Sequence, residues 1–208
     1  FLSSKNGKIY PVEDIHVEQL TEFNANYVND FKCDIGDLED FLKEDALTQQ
    51  IEGVNVTYLW LSNQTKSLVC YITVCADAIR LKGEQKEELK LIGIGYKSLP
   101  ALKIARMAVH SEFVGQKIGS RLIGFAMNIV IDLSKQIGCR FLTLEAKNTP
   151  DLAEHKRPIH FYKKFGFEVL KEKKPHADYV PMYKDLGPLI KSARLSQSKN
   201  RLGLPDQI

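Results

Sequence analysis

The sequence predicts an α/β fold in which helices flank a mixed central β-sheet. Three observations carry that prediction. β-rich apolar runs alternate with segments of helical periodicity along most of the chain. Two strands, "LPALKIARMAVH" and "CRFLTLEAK", are apolar almost throughout, as strands covered on both faces are. Between them lie a glycine-bearing turn and a long amphipathic segment, the connection of a right-handed crossover.

The elements follow in order. Residues 8–20, KIYPVEDIHVEQL, read as a short strand and its connection. In "FKCDIGDLEDFLKEDALTQQ", Asp37 stands as an N-cap, and Leu38, Phe41, Leu42 and Leu47 form one apolar face behind an acidic start. "VNVTYLWL" and "SLVCYITVCADAI" are strands joined by "SNQTK", a hairpin-loop composition. "LKGEQKEELK" is charged and without period, so it reads as a surface loop.

After the first buried strand, Ile118, Leu122, Phe125, Ala126, Ile129, Val130 and Leu133 recur at helical spacing as far as Gly138. In "RPIHFYKKFGF", Pro158 opens a short helix and Gly166 follows its end. "DYVPMYKDL" is the last strand, where Pro181 marks an edge or a bulge. Residues 1–8 read as a leader or remnant, 9–186 as the domain, and 187–208 as a basic, loosely held tail.

Composition narrows the class. With 44% hydrophobic and 26% charged residues the chain reads as a soluble globular domain, and no apolar run approaches the ~20 residues needed to span a bilayer. Cys33, Cys70, Cys75 and Cys139 form no C-x-x-C pair, and the last three sit among apolar neighbours. Neither a zinc site nor a disulfide framework is expected, which fits the cytoplasm. The net charge of +3 resides in the tail, where Lys191, Arg194, Lys199 and Arg201 face Asp206 alone. Composition therefore does not by itself require a nucleic-acid partner.

The chemistry concentrates in "VGQKIGSRL", residues 114–122. A turn that opens a helix presents unpaired backbone N–H groups at the positive end of the helix dipole, which suits a phosphate. Neither G-x-G-x-x-G nor G-x-x-x-x-G-K-[ST] is present, so dinucleotides and nucleoside triphosphates are disfavoured. On spacing alone, a tight strand-to-helix turn explains the glycines equally well.

The neighbouring residues add weight. "ARMAVHSEFVGQKIGSRLIGFAM", with Gln116-x-x-Gly119-x-Arg121, resembles motif A of the GNAT (Gcn5-related N-acetyltransferase) superfamily. Arg121 stands where the family pattern has a small residue. The second hallmark, an aromatic "FY-x-x-x-GF" helix end, is matched by Phe161, Tyr162, Gly166 and Phe167. The resemblance spans roughly residues 9 to 186.

It implies a GNAT fold whose splayed central strands form an acetyl-CoA cleft. Met107, Ala108 and Val109 would line the pantetheine arm opposite Leu144 to Lys147. Val114, Gly115, Gln116, Lys117, Ile118, Gly119 and Ser120 would cradle the pyrophosphate, and Asn148, Phe161 and Tyr162 would complete the site. An N–H near Ala108 would face the thioester oxygen. The reaction would be direct attack by a neutral amine, with acetyl-CoA as co-substrate and no metal.

Tyr162 is the candidate general acid for the departing thiolate, the alternative being an amphipathic aromatic at the core edge. For the base, Glu145, His110, His160 and a water chain stay open. A further likeness, of "FKCDIGDLEDFLKEDA" plus the following hairpin, is to the GNAT branch of toxins that acetylate aminoacyl-tRNA. In that branch Gly is usual where Asp34 stands. Candidate phosphate-contacting cations are Lys103, Arg106, Lys117, Arg121, Lys147, Lys156, Arg157, Lys163 and Lys164.

The expected acceptor is thus a primary amine, with the α-amine of aminoacyl-tRNA first, a small-molecule or protein amine second, and a non-catalytic acyl-CoA-binding module third. A homodimer is a further expectation.

Overall fold

The computed structural model describes residues 14–149, 151–154, 157–170 and 178–201, with side chains to residue 196. The leader, the first half of the strand expected over 8–20, Lys156 and the end of the tail lie outside the described residues.

Among the described residues seven strands appear in chain order: β1 (Ile15–Gln19), β2 (Val56–Ser62), β3 (Leu68–Ile79), β4 (Leu99–Val109), β5 (Phe141–Lys147), β6 (Glu168–Val169) and β7 (Tyr179–Asp185). They hydrogen-bond in the order β1-β2-β3-β4-β5-β7-β6. The helices are α1 (Gly36–Asp40), α2 (Ala46–Ile51), α3 (Gly83–Glu88), α4 (Ile118–Gln136), α5 (Pro158–Lys163) and α6 (Gly187–Arg201). The chain forms two compact units, Phe1–Cys75 with Ile104–Gly124, and Ala76–Lys103 with Phe125–Ile208.

In the first unit β1, β2 and β3 pair antiparallel, with Val17 opposite Trp60 and Tyr58 opposite Ile72. The predicted hairpin is present, and Lys66 takes the left-handed φ of +54° in its loop. Leu20, Phe31, Leu42, Leu59 and Tyr71 are almost wholly buried in this core. Such burial contributes about 1.5–3 kcal/mol per large side chain.

A π-helical turn, Phe41–Asp45, joins α1 to α2, and Ala46 N–H donates to Phe41 O. The extra residue lets Phe41, Leu42 and Ala46 all face the core while Asp45 stays exposed. Asp37 is not the N-cap: Ile35, extended at φ −122°, holds that position without a side-chain bond. Asp37 instead lies in the first turn with Glu39, where a carboxylate still favours the helix dipole.

In the second unit β5 and β7 pair antiparallel with Glu145 opposite Pro181, and β6 pairs β7 with Val169 opposite Met182. Arg140 N–H donates to Pro100 O, and Thr143 Oγ1 donates to Leu102 O, so residue numbers rise together along β4 and β5. That is parallel pairing, reached through the α4 crossover, and the sheet is mixed. Leu91, Leu99, Phe141 and Tyr183 form the core here.

Three further expectations change. "LKGEQKEELK" contains α3, because Gln85 is buried and its side chain accepts the Lys82 N–H at 3.2 Å. Pro181 is on an interior strand rather than an edge; the two-residue β6 ends beside it, and Pro181 O accepts the Leu170 N–H at 2.9 Å. The supposed loose tail begins as α6, anchored by buried Leu186 and Ile190 and by Arg194, which donates to Ser134 O at 2.8 Å.

Candidate active site

The residues singled out from sequence divide between the two units. Met107–Val109 and 114–120 belong to the first; Glu145, Asn148, Phe161 and Tyr162 belong to the second.

In the first unit β4 ends with Ala108 buried in the core and Met107 and Val109 partly exposed. His110 N–H donates to Val69 O, and the His110 Nδ1 accepts the Glu112 N–H at 3.2 Å. Its ring meets Phe31 and Phe113 edge-on, with centroids 5.6 and 5.8 Å apart. His110 is therefore engaged as a cap and as a member of an aromatic cluster, which leaves its Nδ1 lone pair already committed.

The turn beyond carries its own signature. Gly115 has φ +89° and Lys117 φ +59°, and Ser120 N–H donates to Lys117 O at 3.1 Å. A Cβ placed on Gly115 would meet nothing within 4 Å, so glycine is required there by the dihedral, and open space lies before its backbone. Buried Ile118 anchors the first turn of α4, a 19-residue helix. Open space, a left-handed turn and the N-terminus of a long helix suit a pyrophosphate. The residues fit the anionic part of acetyl-CoA. Arg121 lies in that first helical turn, partly buried, and its charge opposes the burial that pushes the Cys70 thiol up.

In the second unit Pro158 sits at the start of α5 as predicted, and Gly166, at φ +76°, turns the chain out of it. Tyr162 lies between two rings: Phe161 at 5.2 Å and 72°, Phe167 at 5.9 Å and 64°. The residue keeps some solvent exposure, yet desolvation pushes its phenol up to about 12. The hydroxyl is thus protonated at neutral pH and has a hydrogen to donate.

Complete transfer to a thiol of pKa ~8.5 is therefore uphill. That is steeper than the near-match of free Tyr and thiol. His160, also on α5, is partly exposed.

Glu145 is exposed on β5, and its Oε2 lies 3.0 Å from Lys103 Nζ on β4. Both line a cavity of about 850 Å³, together with Asp77, Arg80, Asn148 and Asp178. Thr143 Oγ1 donates to Asp77 Oδ2 at 2.5 Å, and Asn148 N–H donates to Asp178 O at 2.7 Å. Sequence reasoning missed Asp77 and Thr143. The signal was Asp77 itself, one carboxylate set between alanines at the end of an otherwise apolar strand.

The comparisons agree with this architecture. The family model described as an acetyltransferase (GNAT) domain matches residues 70–169. Among solved structures, a tyrosine-to-phenylalanine variant of KacT superposes with a TM-score of 0.68 at 21% identity, over 86% of this chain and 99% of that one. AtaT complexed with acetyl-methionyl-tRNAfMet gives 0.68 at 24% identity, over 88% and 98%. AtaTR bound with acetyl-CoA gives 0.67 at 24%, over 88% and 99%. At these identities the likeness is one of fold. Residues 70–169, just under half of the chain, match the acetyltransferase (GNAT) domain, and the fold is the one these solved structures share.

Proposed function

We propose that the protein transfers the acetyl group of acetyl-CoA to a primary amine, and that the amine is the α-amine of an aminoacyl-tRNA. The turn from Val114 to Ser120 binds the pyrophosphate through backbone N–H groups, with Met107, Ala108 and Val109 along the pantetheine arm. The observation that carries this reading is the left-handed, open turn at the head of α4, with φ of +89° at Gly115 and +59° at Lys117. The choice of acceptor is supported by the fold shared with AtaT, which is seen with acetyl-methionyl-tRNAfMet.

The neutral amine attacks the thioester carbonyl, the tetrahedral oxyanion is met by a backbone N–H near Ala108, and the CoA thiolate departs. Tyr162 donates to that thiolate. Glu145, held by Lys103, takes the amine proton. The cytoplasm is the proposed compartment; among the described residues no helix is long and apolar enough to cross a membrane.

A second reading has its own observation. The cavity carries three carboxylates, Glu145, Asp77 and Asp178, against Lys103 and Arg80, a slight acidic excess that favours a small or protein-borne ammonium over a phosphate-rich acceptor. Incubation with acetyl-CoA and, separately, charged tRNA, basic peptides and polyamines distinguishes the two. Acetylation of charged tRNA, falling steeply as salt rises, supports the first. Transfer only to peptides or polyamines supports the second, and transfer to no amine overturns both.

A further inference from the structure

A second cavity, of about 310 Å³, lies wholly in the second unit, and none of the site residues assigned above lines it. Its floor is Leu91, Leu99, Phe141 and Ile190, all at least nine-tenths buried. Cys139 completes the lining, and burial pushes its thiol up to about 11, so it stays neutral and behaves as apolar surface. Arg140 also borders the cavity, but its guanidinium is spent on Asp185 through two bonds of 2.7 Å and lies over the Phe141 ring at 5.5 Å.

The mouth has a different character. Ile94 and Tyr96 flank it, 41% and 74% exposed, so apolar surface continues outward from the floor. On α6, Lys191 and Arg194 stand exposed at the rim. The stretch Gly187–Arg201 contains four cationic residues and no acidic one.

An apolar chamber at the small end of the ligand-site range, with cations at its lip, matches a molecule with one flexible apolar body and one anionic head. We propose that this cavity binds a medium-chain fatty acid, its alkyl chain on Leu99, Phe141 and Ile190 and its carboxylate at Lys191 and Arg194. A peptide segment would need backbone partners that an almost wholly apolar floor does not offer.

The test is calorimetric titration of the full chain with dodecanoate, with dodecanol as the uncharged match and acetyl-CoA as competitor. Saturable 1:1 binding of dodecanoate, weaker binding of dodecanol and indifference to acetyl-CoA are expected. Reversing the exposed rim charge alone, Lys191→Glu, which leaves the Arg194 bond to Ser134 O in place, weakens dodecanoate several-fold and leaves dodecanol alone. Ile94→Glu, at an exposed position that tolerates change, weakens both. Acetyl transfer is unchanged in all these variants.

The proposal is overturned if dodecanoate does not bind, if the charge-reversed variant binds it as tightly as the parent, or if acetyl-CoA displaces it. A concentration-dependent dimer that Ile94→Glu dissociates would assign this face to a second copy of the chain and overturn it too.

Discussion

Lys103 Nζ and Glu145 Oε2 stand 3.0 Å apart across neighbouring parallel strands, at the edge of a cavity that holds two further carboxylates. Glu145 is half exposed there, so the pair contributes no more than about 1 kcal/mol to stability. Glu145→Gln should therefore leave the thermal midpoint nearly unmoved. If Glu145 takes the amine proton, the same variant lowers kcat/KM about a hundredfold. Equal rates for variant and parent would remove it from the mechanism.

Tyr162→Phe should lower kcat by a factor of about 10²–10⁴ while acetyl-CoA still binds with its parental Kd. Single-turnover rates and equilibrium titration separate the two effects. An unchanged kcat would reduce Tyr162 to a packing residue between Phe161 and Phe167.

Burial raises Cys139 to about 11 and both Tyr162 and Tyr183 to about 12, with the Glu168 carboxylate adding to the effect at Tyr183. A group whose pKa is higher in the folded chain than in the unfolded one favours folding while it is protonated. The stabilisation is complete below about pH 8.5 and is lost as pH climbs from there to about 12. Thermal midpoints measured from pH 8 to pH 12 should fall, and Tyr162→Phe should flatten the upper part of that fall. A flat profile in the parent would contradict the burial of these groups.

Gly115→Ala forces a side chain into φ +89° although space for it is open, so its cost of about 1–2 kcal/mol is purely conformational. Weaker acetyl-CoA binding should accompany it. Lys117→Gly relaxes a left-handed residue and should hold or raise the thermal midpoint, while loss of the cation weakens acetyl-CoA binding a few-fold. Differential scanning and titration read both variants.

His110→Ala removes the acceptor of the Glu112 N–H and a ring packed between Phe31 and Phe113, and should cost about 1–2 kcal/mol of stability. The shape of the kcat pH profile should be retained. Loss of its acid limb would restore His110 as the base.

The sheet, the α4 crossover and the aromatic α5 were legible because each rests on a local period or a local turn. The apolar stripe from Ile118 to Val130 and the Pro158 and Gly166 boundaries needed no distant partner. What was missed depends on tertiary neighbours. The helix α3 exists because Gln85 finds burial and a backbone partner, and no hydrophobic period announces it. The π turn at Phe41–Asp45 answers to a core that must accept three side chains at once. At the candidate site, the glycine turn and Tyr162 were visible as motifs. The Thr143–Asp77 bond and the Lys103–Glu145 pair join residues more than 40 positions apart.

Arg140 grips Asp185 with two bonds, donates to Leu89 O at 3.2 Å, and packs so closely on Gly187 that a Cβ there would lie 2.7 Å from the guanidinium. Removing it, as in Arg140→Ala, should cost roughly 3 kcal/mol. The clamp also fixes a seam in the gene. Upstream of it the strands must be inherited together, and α6 must travel with them as far as Arg194, because buried Ile190 and the Arg194 bond to Ser134 O fasten it to the same unit.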